Sequence, residues 1–165
     1  MQLRWRELLE TVGIVAVVAS LIFVGYQIQQ DHDIARSQLG SETFVMLDNI
    51  YEARYDPVLA SAYVKMLDSP EELTKVEVFQ LNSHLQAMAQ IFFRECYLTR
   101  RDVFTECEEL IRSHIPLYFG NKYAQIWWEG SMMKSFLPEW VDEEISKVDP
   151  NTESQRIEAI IEKLK

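Results

Sequence analysis

The chain has 165 residues, with 26 acidic against 16 basic side chains and a formal net charge of −10. A surplus of that sign repels phosphate backbones and anionic headgroups, which argues against nucleic-acid binding and against electrostatic attachment to lipid. Two cysteines, five glycines and five prolines, with no Ser-, Gly- or Pro-rich run, leave no disulfide framework, linker or low-complexity tract.

The first element is the most informative. Thr11 to Gln30 is free of charge for twenty residues, and Val12–Tyr26 reads VGIVAVVASLIFVGY. A helix of about 20 residues crosses a hydrocarbon core of ~30 Å. Trp5 and Tyr26 stand near its ends, ~31 Å apart at 1.5 Å per residue, close to the separation of the interfacial belts where such rings settle. Leu8, Leu9, Ile14, Val17, Leu21 and Val24 cover every side of the helix, and the rest of the chain is short for wrapping it. The expectation is a single-pass transmembrane anchor over residues 1–30, with the lipid bilayer as its partner. Two other readings stay open: a cleavable signal peptide, for which Tyr26-Gln27-Ile28-Gln29-Gln30 offers no small residues, and a helix buried in an oligomer. Arg4 and Arg6 against Arg36 favour a cytoplasmic N-terminus and an extracytoplasmic body. Gly13, Ala16 and Ser20 form a small-residue stripe suited to self-association or to packing on a membrane protein partner, although such residues are ordinary in membrane helices.

Residues 31–165 form one acidic all-α domain in this reading. Arg4 and Arg6 balance Glu7 and Glu10, so the net charge of −10 belongs to the body. The first helix is expected to run past Asp31 and stop at Asp56-Pro57, because the residue before proline avoids the helical region. Val58 to Leu67 follows, with Leu59, Tyr63 and Met66 on one side. Ser69-Pro70-Glu71-Glu72 reads as the start of a long helix to Leu98, with Val78, Leu81, Leu85, Met88 and Phe92 as its buried face. Asp102 reads as the cap of the next helix, which would carry Val103, Phe104, Leu110 and Ile111 and end at Pro116 and Gly120. Lys122 to Ser135, then Pro138 to Ser146, complete the middle. Thr152-Glu153-Ser154-Gln155 reads as a capping box opening a last helix with Ile157, Ile160, Ile161 and Leu164 on one stripe. The fold class is all-α: the transmembrane helix followed by a compact bundle of about six to seven helices, no sheet.

Aromatic density is the second signal. Tyr118, Phe119, Tyr123, Trp127, Trp128, Phe136 and Trp140 fall within 23 residues. Tyr123, Trp127 and Trp128 are the candidate binding residues, since Trp and Tyr dominate binding hot spots; the competing reading is a core cemented by aromatics. Cys96 and Cys107 flank a turn near Arg101 almost symmetrically. A disulfide is open to them outside the cytoplasm, but helix axes packed 8–10 Å apart favour unbonded thiols. Asp31-His32-Asp33 splays around a helix and cannot converge on a metal ion. His84 and His114 lack metal-ligand spacing and read as helix-face residues. Glu106, Glu108, Glu109 and Asp142, Glu143, Glu144 read as solvated faces. No nucleophile elbow, phosphate loop or catalytic constellation is present, so no cofactor, metal or enzymatic role is expected.

The chain resembles a family of short, uncharacterised bacterial proteins. The resemblance rests on Ser20-Leu21-Ile22-Phe23-Val24-Gly25-Tyr26-Gln27-Ile28, on Ile91-Phe92-Phe93-Arg94-Glu95, on Ile126-Trp127-Trp128-Glu129, and on Phe136-Leu137-Pro138-Glu139-Trp140-Val141. It implies a membrane helix and an all-α body, with no activity and no site to carry over. The functional expectation is an interaction or scaffold module held at the membrane. The alternative is a membrane-tethered helical sensor or small apolar-ligand-binding domain, with a closed pocket among Phe92, Tyr123 and Trp127.

Overall fold

The computed structural model describes residues 2–101, 103 and 107–165, with 2–4 and 6–8 by backbone alone. Among these it is all-helical: α1 (Gln2–Ala53), α2 (Pro57–Asp68), α3 (Lys75–Arg100), α4 (Glu108–Phe119), α5 (Lys122–Gly130), α6 (Glu139–Lys147) and α7 (Thr152–Lys163), with 3-10 turns at Pro70–Glu72 and Met132–Ser135. The described residues contain no strand. The chain divides into two compact units, Met1–Glu42 and Thr43–Lys165.

The first unit is helical throughout its described length and carries the apolar segment. α1 is long and apolar enough to cross a membrane, and none of its most apolar window is buried. Val12, Val17, Leu21 and Phe23 are all more than half exposed, as are Trp5 and Tyr26 at 68% and 69%. Among the small residues, the Ser20 hydroxyl donates back to the Ala16 carbonyl at 2.9 Å, and a methyl group at Gly13 would meet nothing within 4 Å. The side chains of Arg4 and Arg6, on which the orientation argument leans, lie outside the described residues.

The second unit is organised on α3. Leu81, Met88 and Phe92 are 0% exposed and Leu85 1%, as their spacing of three and four residues requires. Leu47 and Ile50 from the end of α1, Ile111, Ile115, Tyr118 and Phe119 from α4, Trp128 from α5, and Val141 and Ile145 from α6 share that core. Leu59, Ala62 and Met66 of α2 pack with Leu81 in a second cluster. Polar chains close one edge: Thr43 donates to the Glu95 carboxylate at 2.6 Å, and Arg94 hydrogen-bonds Thr43.

Three helix starts differ from those the sequence suggests. Ser69 makes no capping bond and Pro70–Glu72 is only a 3-10 turn. The cap of α3 is Thr74, whose hydroxyl accepts from the Glu77 N–H while the Glu77 carboxylate accepts from the Thr74 N–H. That box prevails because Lys65 reaches across from α2 to Glu77 at 2.8 Å, so one carboxylate serves the cap and an ion pair. α4 begins at Glu108, leaving Val103 outside it; Asp102, Phe104 and Glu106 lie outside the described residues. At α7 the Thr152 hydroxyl donates to the Asp149 carbonyl instead of capping. The Glu153 N–H donates to the Gly120 carbonyl at 3.0 Å. Pro116 sits inside α4, and Gly120 ends that helix without a left-handed turn, at φ −77°. Glycine is needed there for close approach: a Cβ would stand 2.2 Å from the Pro116 carbonyl oxygen and 3.1 Å from the Thr152 Cβ.

The Lys65 hydrogen bond, followed by those from Thr74, holds the Glu77 carboxyl down to about 2. The unfolded carboxyl binds its proton more readily, so this contribution is complete above about pH 4.5 and disappears as pH falls toward 2. Thr74→Ala is expected to cost about 1 kcal/mol, and Thr74→Ser much less. Urea unfolding of the two variants at pH 7 checks this.

Candidate functional site

Two side chains of the α4–α5 corner aim the aromatic residues. Asn121 caps α5 by accepting from the Ala124 N–H at 2.8 Å, and its amide donates to the Tyr118 carbonyl at 3.2 Å. The Gln125 amide donates to the Phe119 and Val148 carbonyls at 3.1 and 2.9 Å, tying α5 to the end of α4 and to the end of α6. With α5 fixed, its two tryptophans part company. Trp128 turns inward, 2% exposed, edge-on to Phe119 with ring centres 5.5 Å apart, and its indole N–H donates to Asp142 at 2.9 Å. Trp127 and Tyr123 remain half-buried on the outer side. The Tyr123 hydroxyl donates to Asn82 on α3 at 2.8 Å.

Tyr123 and Trp127 line an open cleft of about 610 Å³, floored by Asn82 and Gln86 and rimmed by Ile126, Met132 and Phe136. The rim is apolar and exposed: Ile126 59%, Met132 80%, Phe136 57%. Of the three candidate binding residues, the structure thus brings two together at a surface and gives the third, Trp128, to the core. Phe92 is wholly buried and does not line this open cleft.

Cys96 is buried on α3, Cys107 is half-buried just ahead of α4, and both are free thiols. Burial, and then the neighbouring Cys107 thiol, push the Cys96 thiol well above its ordinary range, so it is a poor nucleophile. Asp31, His32 and Asp33 are exposed, and no group of three His, Cys, Asp or Glu among the described residues could hold a metal ion. The acidic clusters are ion-paired as well as solvated. Asp142 meets Lys134 at 2.8 Å, and Glu144 meets Arg112 at 2.6 Å and Lys147 at 2.9 Å; both carboxyls are lowered by these partners.

One cluster escaped sequence reasoning. Arg54, just past α1, places its guanidinium 4.6 Å from the Tyr118 ring centre and 4.9 Å from that of Tyr63. His84 stacks on Tyr118 with ring centres 5.9 Å apart and meets Tyr63 edge-on at 5.5 Å. His84 is 6% exposed, on the buried side of α3. Cation–π contact stabilises Arg54 among the tyrosines. Burial pushes the Tyr63 phenol up to about 12 against the opposing pull of Arg54. The only sequence signal was a lone arginine among tyrosines distant in sequence.

No family model, curated protein or solved structure matches the chain.

Burial, reinforced by the charge of Arg54, lowers His84 from 6.5 to about 4. The unfolded imidazole takes its proton near 6.5 and the folded one only near 4, so this contribution to stability is complete above pH 6.5 and is lost as pH falls through that interval. At pH 5 the loss is about 2 kcal/mol. Urea midpoints measured at pH 7.5 and pH 5 are expected to differ accordingly, and His84→Gln, uncharged throughout, is expected to flatten the difference.

Proposed function

We propose that this chain is a membrane-anchored interaction module. In this reading Thr11–Gln30 crosses the bilayer with the N-terminus in the cytoplasm, and the helical body outside the cytoplasm presents the α5 cleft to a partner. The supporting observation is the cleft itself, in which exposed Ile126, Met132 and Phe136 surround a half-buried Trp127. Apolar side chains gathered at a concave surface are the material of a docking site. The body carries the whole net charge of −10. The matching occupant is therefore an amphipathic helix with an apolar face for the cleft and basic flanks complementary to the body's net negative charge.

A leucine–lysine amphipathic peptide and its leucine–glutamate counterpart test the docking, titrated into the full-length protein in phosphatidylcholine nanodiscs. The basic peptide is expected to bind and the acidic one to fail. Trp127→Ala is expected to weaken binding by about tenfold or more. Ile126→Asp adds negative charge, so loss of binding in that variant points to the apolar cleft and not to bulk attraction. Unchanged binding in both variants overturns the reading.

Orientation is tested on the cysteines. After brief reduction of intact cells, a membrane-impermeant maleimide is expected to label half-buried Cys107, and Cys96 only after denaturation. Labelling of Cys107 only in opened cells reverses the orientation.

A further inference from the structure

A seam between the last turns of α1 and the middle of α3 is left open in the second unit. Its main cleft has a volume of about 450 Å³, within the range of small-molecule sites. Ile50 and Ala53 of α1, Leu59 of α2, and Phe79 and Ala87 of α3 make it largely apolar, and Phe79 stands at the mouth, 72% exposed. A smaller hollow of about 340 Å³ shares Asn49, Ile50 and Ala87 with it and continues to Met46 and Arg94, so the space is elongated.

The wall contains two polar side chains whose requirements the protein does not meet. Gln80 Oε1 and His84 Nε2 are both buried without a hydrogen-bond partner. They lie four residues apart on α3, hence on one face, and both residues line the same cleft. Buried polar atoms are nearly always paired, and leaving them unpaired is costly. Of the other polar side chains of the wall, Ser83 donates to the Phe79 carbonyl, Asp56 caps α2 by accepting from the N–H groups of Val58 and Leu59, and Asn49 is exposed to water.

We propose that this seam binds an elongated, uncharged amphiphile bearing a hydroxyl, which donates to Gln80 Oε1 and accepts from His84 Nε2–H while its apolar body lies against Ile50, Leu59 and Ala87. A hydroxyl is both donor and acceptor, so one group answers both orphaned atoms. Charge narrows the class. Arg54, packed through Tyr63 and Tyr118 beside His84, opposes a cationic end. The Asp56 carboxylate in the wall opposes an anionic one. The site is separate from the α5 cleft and stands whether or not that cleft docks a partner.

The test uses the full-length protein in phosphatidylcholine nanodiscs at pH 7 and three photoreactive probes of equal chain length: a diazirine-bearing decan-1-ol, the matching decanoic acid and the matching decylamine. Labelled peptides are mapped by mass spectrometry. Saturable labelling of residues 79–87 by the alcohol, suppressed by excess decan-1-ol and about fivefold weaker with the acid and amine, is the expected result. Gln80→Leu, which keeps the wall apolar but removes its acceptor, is expected to lower that labelling about fivefold. Ala53→Phe, at an exposed position of the wall, is expected to abolish it. Labelling confined to the lipid-facing stretch 11–30, equal labelling by all three probes, or no effect of Gln80→Leu overturns the proposal.

Discussion

Removal of the inner face of α3 from water is the constraint on which the second unit depends. Leu81, Leu85, Met88 and Phe92 have essentially no exposed surface, and burying each such side chain is worth about 1.5–3 kcal/mol. α1, α2 and α4 to α6 all contribute side chains to the clusters built around that face. Both clefts are carried by what is left over. The α5 cleft forms where α3 presents Asn82 and Gln86 instead of apolar groups, and the open seam forms where its Phe79, Gln80 and Ala87 meet the end of α1 without filling the space.

The polar interior is arranged with unequal completeness. Glu77 serves two roles at once, answering the Thr74 cap and pairing with Lys65. Glu95 takes the Thr43 hydroxyl, and buried Glu153 is held by Arg156. Against that background the region around His84 stands apart. Arg54 lies among aromatic faces, with no acceptor for its Nε and Nη2, and His84 Nε2, Tyr118 Oη and Gln80 Oε1 are likewise unpartnered. Apart from Thr99 Oγ1 near the end of α3, the buried side-chain atoms left without a partner among the described residues belong to Arg54, Gln80, His84 and Tyr118.

What could be read in the amino acids follows the range of the forces involved. The apolar rod of α1, its continuation to the Asp56-Pro57 stop and the buried stripe of α3 are periodic, local signals, and all are present. Helix starts were less legible because two boxes competed within a few residues. Ser69-Pro70 had the composition of a cap, but Thr74 won through Lys65, a residue on another helix. The same limit applies to the site. Trp127 and Trp128 are chemically identical neighbours, and what turns Trp128 inward lies on other elements: the anchoring of α5 by Asn121 and Gln125, the Phe119 ring, and Asp142 on α6. Arg54, Tyr63, His84 and Tyr118 come from the end of α1 and from three other helices, and no spacing rule anticipates their meeting.

Gly120 shows how a single hydrogen atom can determine mutational tolerance. With the Pro116 carbonyl oxygen and the Thr152 Cβ occupying the space a Cβ at this position would need, every other side chain forces the backbone apart there. Position 120 is therefore a cliff in the fitness landscape, next to exposed Lys122, where substitutions meet open water. In a saturation library the codon for this glycine would stay almost monomorphic, and the pattern of depletion would outline the junction of the α4 corner with the chain's last helix without any coordinates.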